Sequence, residues 1–150
     1  MKNNLIRKLI LFIMGYALYI AIEVTFRGYS FVLMGICGGI LLILIDSINE
    51  VLPWNTDILL QSSIGSILIT LCEFIVGELL KLFNLPPMWN YSDMLLNYDG
   101  VICLEFSLLW VLLSFIAILL ADAINYYVFS LLPAPYYRLF GKIIIKFKSR

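Results

Sequence analysis

The sequence predicts an all-α, polytopic membrane protein: four transmembrane helices in one domain over residues 1–150, with both termini cytoplasmic. Three observations carry this expectation. Hydrophobic residues make up 63% of the chain and the mean hydropathy is +1.00, whereas soluble domains are about 45–50% apolar. The excess is gathered into four long runs, and a spanning helix takes ~20 apolar residues. Finally, charge is sorted by position. Of the 10 basic residues, all but Arg27 and Lys81 lie at the ends: Lys2, Arg7, Lys8, Arg138, Lys142, Lys146, Lys148 and Arg150. All 10 acids lie between Glu23 and Asp122. Positive charge flanking a span stays on the cytoplasmic side, so both ends belong inside and the number of spans is even.

The first span covers about residues 9–26. Its basic start and apolar run imitate a signal peptide, but no small-x-small cleavage site follows, so it reads as an uncleaved span. Tyr16, Tyr19, Glu23 and Arg27 share one helical face, and Glu23–Arg27 is an i,i+4 pair in the favoured order. The pair fits either a snorkelling anchor at the outer interface or a wall of a polar site.

A short turn, Arg27-Gly28-Tyr29-Ser30, leads to the second span, about 31–48. Gly35 and Gly39, with Gly38 beside them, form a small-xxx-small pattern that lets helix backbones approach closely. Asp46 shares that face. The following loop carries Glu50, Trp54 and Asp57 and no basic residue, so its acids could meet the basic tail.

The third span, about 58–83, is roughly 39 Å of helix, enough to cross with tilt. Ser62, Ser66, Thr70, Glu73, Gly77 and Lys81 fall in one sector, and such a stripe faces other helices or water rather than lipid. A lipid-facing Glu73 would cost about 2.5–3.5 kcal/mol. The segment 84–101, with Pro86, Pro87, Trp89, Asn90 and Tyr91, suits an interfacial or re-entrant loop; non-helical backbone at membrane depth must be buried in protein or face water.

The fourth span, about 102–132, exceeds the bilayer thickness. Ser107, Ser114 and Ala121 recur at heptad spacing as a packing face, Glu105 sits at the outer end, and Asp122 and Asn125 sit near the inner end. Pro133 and Pro135 stop the helix. The tail 133–150 is basic and apolar, as in segments that lie on an anionic leaflet.

Much chemistry is excluded. With no histidine, metalloprotease and Ser-His-Asp arrangements are absent. The only Gly-Lys, Gly141-Lys142, lacks the upstream glycine of a phosphate-binding loop. Asp46 and Asp122 could form an intramembrane aspartyl pair, but no flanking signature supports it. Cys37, Cys72 and Cys103 lack metal-site spacing and read as small buried hydrophobes. The chain is therefore expected to be no enzyme, with no catalytic residue, metal or cofactor. A net charge of zero argues against nucleic acid as a partner. What remains is a polar group in the outer half: Glu23, Arg27, Glu73, Glu78, Lys81 and Glu105, with Trp89, Asn90 and Tyr91 from the loop. It fits a transport site or an ion-paired network that fixes helix packing.

Several strings occur in order: Arg27-Gly28-Tyr29-Ser30, Ile48-Asn49-Glu50-Val51-Leu52-Pro53-Trp54, Glu73-Phe74-Ile75-Val76-Gly77, Trp89-Asn90-Tyr91-Ser92, Ile102-Cys103-Leu104 and Tyr137-Arg138-Leu139-Phe140. Over residues 15–140 this set resembles the small bacterial membrane proteins grouped as type IV ABC-transporter permeases, the CmpB-like family. The chain departs from it at Asn90, where Trp-Asp-Tyr-Ser is usual, and at Phe31-Val32-Leu33, where the family often has His-Trp-Ser. The resemblance implies a permease-like subunit in the bacterial cytoplasmic (inner) membrane, without its own ATPase and served by a separate one. One four-helix copy is small for an alternating-access path, so association with itself or another membrane subunit is expected. The competing expectations are a non-transporting scaffold and a holin-like pore former.

Overall fold

A computed structural model describes residues 2–131 and 133–149, with the side chains of Lys2 and Asn3 left aside. Four helices are long and apolar enough to cross a membrane: Asn4–Arg27, Val32–Val51, Ile58–Leu82 and Leu104–Val128. In detail the chain forms α1 (Lys2–Arg27), α2 (Val32–Asp46), α3 (Ile48–Val51) and α4 (Ile58–Leu82). These are followed by β1 (Asn97–Tyr98), β2 (Ile102–Cys103), α5 (Leu104–Ala123), a π-helical turn (Ile124–Val128), β3 (Tyr136–Leu139) and β4 (Lys142–Lys146). The helices alternate in direction, so the start of α1, the end of α2 and the end of α5 share one end of the bundle.

Close approach of α1 and α2 depends on glycine. A Cβ at Gly38 would run into the backbone of Gly15 and the ring of Tyr19, and one at Gly35 into Tyr16. The small-residue pattern on α2 thus seats α1. Helices α4 and α5 form a second antiparallel pair, and α2 joins the pairs through contacts with both. The main apolar cluster is Leu41, Ile45, Ile48, Ile58, Ile69, Trp110, Ile118 and Tyr137. Leu9, Ile13, Ile67, Leu71, Leu108 and Leu112 stay exposed, which fits a lipid-facing surface.

The spans differ from the sequence reading at their ends. Helix α1 begins well before residue 9, because no glycine or proline lies between Lys2 and Leu9 and Arg7 finds a buried partner inside the bundle. The fourth helix starts at Leu104 rather than 102, since Ile102 and Cys103 pair with Tyr98 and Asn97. Its expected end at Leu132 lies outside the described residues, as does Arg150 of the tail. Helix α4 ends in a reverse cap. Asn84 adopts a left-handed conformation (φ 54°), and the Leu85 N–H donates to the Leu80 carbonyl at 2.8 Å.

The basic, apolar tail folds into two strands. Strands β3 and β4 make an antiparallel hairpin closed by Phe140-Gly141, both with positive φ (49° and 78°). The β-branched run Ile143-Ile144-Ile145 suits a strand. The hairpin is tied to the bundle by Tyr137, 2% exposed, and by Asp57, whose carboxylate accepts the Phe140 N–H at 2.6 Å. Of the two loop acids expected to meet the tail, Asp57 does so, while Glu50 turns to Arg7 instead.

Candidate functional site

The expected outer cluster is divided by the structure into three groups. At the centre is Glu73 on α4, 5% exposed. Helical phase turns it inward together with Ser62, Ser66 and Gly77. Its Oε1 accepts from the Tyr91 hydroxyl at 2.8 Å and its Oε2 from Trp110 Nε1 at 2.8 Å. Tyr91 comes from the loop after α4, which therefore folds back onto the bundle. Several contacts position it. Tyr91 N–H donates to Gly100 O at 2.8 Å, Trp89 Nε1 donates to Val101 O at 2.8 Å, and the Tyr91 ring stacks on Phe106 at 4.6 Å. Val101 sits on Gly77, where any Cβ would collide with it. Burial, and then the Glu73 carboxyl, push the Tyr91 phenol well above its ordinary range, so it serves as a donor. A cavity of about 10 Å³, lined in part by Tyr19, Cys37, Cys72 and Trp89, adjoins Glu73; that is about the room one water molecule needs.

Glu23 and Arg27 form a separate pair at 2.8 Å near the mouth of α1. Ser30 Oγ donates to the same Glu23 carboxylate. Arg27 also donates to the Met88 carbonyl at 2.6 Å and lies over the Tyr29 ring at 4.8 Å. It thereby ties the first turn to the loop. Glu78 and Lys81 are the third group, at the surface: Lys81 Nζ meets Glu78 at 3.3 Å and Asp99 at 2.5 Å. Asn90 is exposed, and its Oδ1 accepts from Ser92 N–H and Oγ at 2.9 and 2.6 Å, shaping the loop. Glu105 is exposed in the first turn of α5, where an acid complements the helix dipole. Trp110 completes the Glu73 site and was not expected there. Its signal was faint: an apolar-run tryptophan buries best where its N–H has a partner.

The opposite end holds a second network. Arg7, 7% exposed, donates to Asp46 Oδ2 at 2.8 Å, to Asn125 Oδ1 at 3.2 Å and to Glu50 at 3.3 Å. Asn125 Nδ2 donates back to Asp46 Oδ1 at 2.5 Å. The π-helical turn presents Asn125 to this group, and such turns insert one residue into an α-helical frame. Beside it, Asp122, 1% exposed, accepts from Asn49 Nδ2 at 2.9 and 3.0 Å and from the Tyr137 hydroxyl at 2.7 Å. Burial first, and the Asp122 carboxylate second, keep the Tyr137 phenol far above its usual range. Asp46 and Asp122 are thus neighbours, but each is held by its own donors.

Fold and polar interior together define a multi-pass helical membrane protein. The family model described as "Putative ABC-transporter type IV" matches residues 25–148, and the chain belongs to this family. No curated protein and no solved structure matches the chain.

Proposed function

We propose that the chain is a permease-like subunit of a transporter in the bacterial cytoplasmic membrane. It has no catalytic site of its own and is served by a separate ATPase. The observation that carries this reading is Glu73. It is a carboxyl buried in a spanning helix and contacted by a tyrosine from a loop that folds back over it. Intramembrane acids are costly and mark ion and substrate paths, and a loop over such a group can serve as a lid. Family membership supports the same direction. Lys8, Arg138, Lys142, Lys146 and Lys148 gather at the other end, which supports cytoplasmic termini by the positive-inside rule. The Glu73 end would then face outward. The exposed face of α1, which packs mainly on α2, suits association with a second copy or another membrane subunit.

The test is purification of the intact protein in mild detergent with identification of what accompanies it. A stoichiometric ATP-hydrolysing subunit supports the reading. A homo-oligomer with no such subunit, from membranes that make one, removes the ABC-type assignment. With the assembly in hand, Glu73→Gln should assemble normally but fail to support ATP-dependent transport in vesicles.

A further inference from the structure

The bundle contains three deeply buried carboxyls, and they are not treated alike. Asp46 has the Arg7 guanidinium at 2.8 Å. Glu73 and Asp122 have only neutral donors: a tyrosine hydroxyl with an indole N–H in one case, a tyrosine hydroxyl with an amide in the other. Among the described residues neither has a lysine or arginine at ion-pair distance. Each receives its tyrosine from a segment outside the spans, Tyr91 from the loop before α5 and Tyr137 from the terminal hairpin. The titratable groups around Glu73 are Tyr19 on α1, Cys37 on α2, Cys72 on its own helix, and Tyr91. Those around Asp122 are Asp46 on α2, with Arg7 behind it, and Tyr137.

Between the two levels the α4–α5 interface is lined by hydroxyls. Thr70 donates to Ser107 at 3.2 Å and Ser66 to the Ser107 carbonyl at 2.6 Å. Further along, Gln61 Oε1, Ser62 Oγ and Ser114 Oγ are buried without a protein partner among the described residues. The span from Trp110 to Asp122 is ~18 Å along α5.

We infer that Glu73 on α4 and Asp122 on α5 are two proton-binding sites, one toward each end of the bundle, and that the proton is an ion this subunit carries or senses. An uncompensated carboxyl in a spanning segment is costly as an anion, and a bound proton removes that charge without requiring any other ligand. At each site the proton adds to a carboxylate oxygen and leaves from it; no other bond changes. For its role in transport the inference rests on the permease reading, but the binding is read without transport.

The experiment uses the intact protein in lipid nanodiscs. It is treated with dicyclohexylcarbodiimide, which attacks protonated carboxyls in apolar surroundings, and mapped by mass spectrometry. Infrared difference spectra of Glu73→Gln, Asp122→Asn and Asp46→Asn are recorded alongside. Expected are adducts on Glu73 and Asp122 that decline as pH rises, Asp46 at background, and loss of one carboxylic-acid C=O band in each of the first two variants. Where reagent access fails, the infrared bands decide. An adduct or band at only one carboxyl overturns the two-site form. Absence of any acid band that Glu73→Gln or Asp122→Asn removes, or equal labelling of Asp46, overturns the inference entirely. The permease reading would survive that result with Glu73 as an anionic ligand.

Discussion

The two ends of the bundle solve one problem in different ways. Both bury acids in spanning helices, and both close over them with a segment outside the spans that carries a tyrosine: the loop before α5 with Tyr91, and the terminal hairpin with Tyr137. At the Arg7 end the guanidinium and Asn125 hold Asp46, while Asp122 beside it is held by neutral donors alone, Asn49 and Tyr137. At the Glu73 end two uncharged aromatic donors do all the work, and the nearby ion pairs, Glu23–Arg27 and Glu78–Lys81, are spent on loops and surface. Charge near a buried acid is therefore no sign that it compensates that acid. A carboxylate with a guanidinium beside it, as Asp46 has, is suited to hold helices together, and one with neutral donors alone, as Glu73 and Asp122 have, is suited to bind something.

If that contrast is right, Arg7→Met should have the largest effect. It strands Asp46 in the interior, and breaking a buried pair costs about 3–5 kcal/mol. Thermal unfolding in detergent measures the loss, and Arg7→Met combined with Asp46→Leu should recover most of it. A loss no greater than that for Glu73→Gln would erase the distinction between the ends. Next, Trp110→Phe removes one donor from Glu73 and should cost about 1–3 kcal/mol, while Glu73→Gln, whose carbonyl can still accept from Trp110 and whose amide N–H can donate to the Tyr91 hydroxyl, should cost less; the same unfolding assay ranks them. Tyr137→Phe removes the hairpin's bond to Asp122 and should cost about 1–2 kcal/mol. Hydrogen exchange should quicken over 136–146 while the 97–103 hairpin is unchanged.

The two tyrosines also set a pH dependence common to both ends. The ordinary phenol value is 10.0, and Tyr91 and Tyr137 are held above it in the folded chain. Their contribution is complete below about pH 10 and is lost as pH rises beyond it, because the unfolded chain ionises first. Tyr91→Phe and Tyr137→Phe should flatten that alkaline decline. Smallest of all, Glu78→Ala and Glu105→Ala touch only exposed groups, and unfolding should show no measurable change. A clear loss would mean that the outer surface charges belong to the Glu73 site after all.

Helix count and placement were legible in the sequence because apolar runs of spanning length have one solution in lipid. The inward stripe on α4 was legible too for Ser62, Ser66, Thr70, Glu73 and Gly77, which share a phase that only protein contacts can satisfy, but Lys81, read on the same stripe, lies at the surface where it pairs with Asp99. The hairpins were less so. Asp99-Gly100 is a recognised turn signal, yet β1 and β2 have two residues each, too few for a period to show. Arg7 read as a flanking charge, because nothing local distinguishes a snorkelling arginine from a buried one.

By itself, then, the sequence determined the class of protein, the four spans and the acids that lipid could not tolerate. Tertiary structure alone decided partners. Arg7 with Asp46 and Asn125, Glu73 with Tyr91 and Trp110, and Asp122 with Asn49 and Tyr137 are joined across different helices and loops. Insertion energy is a property of each segment alone, readable residue by residue. Hydrogen bonding between helices depends on how each is rotated and seated on its neighbours, which the glycine contacts of α1 and α2 and the packing of α4 on α5 fix only when the chain is assembled.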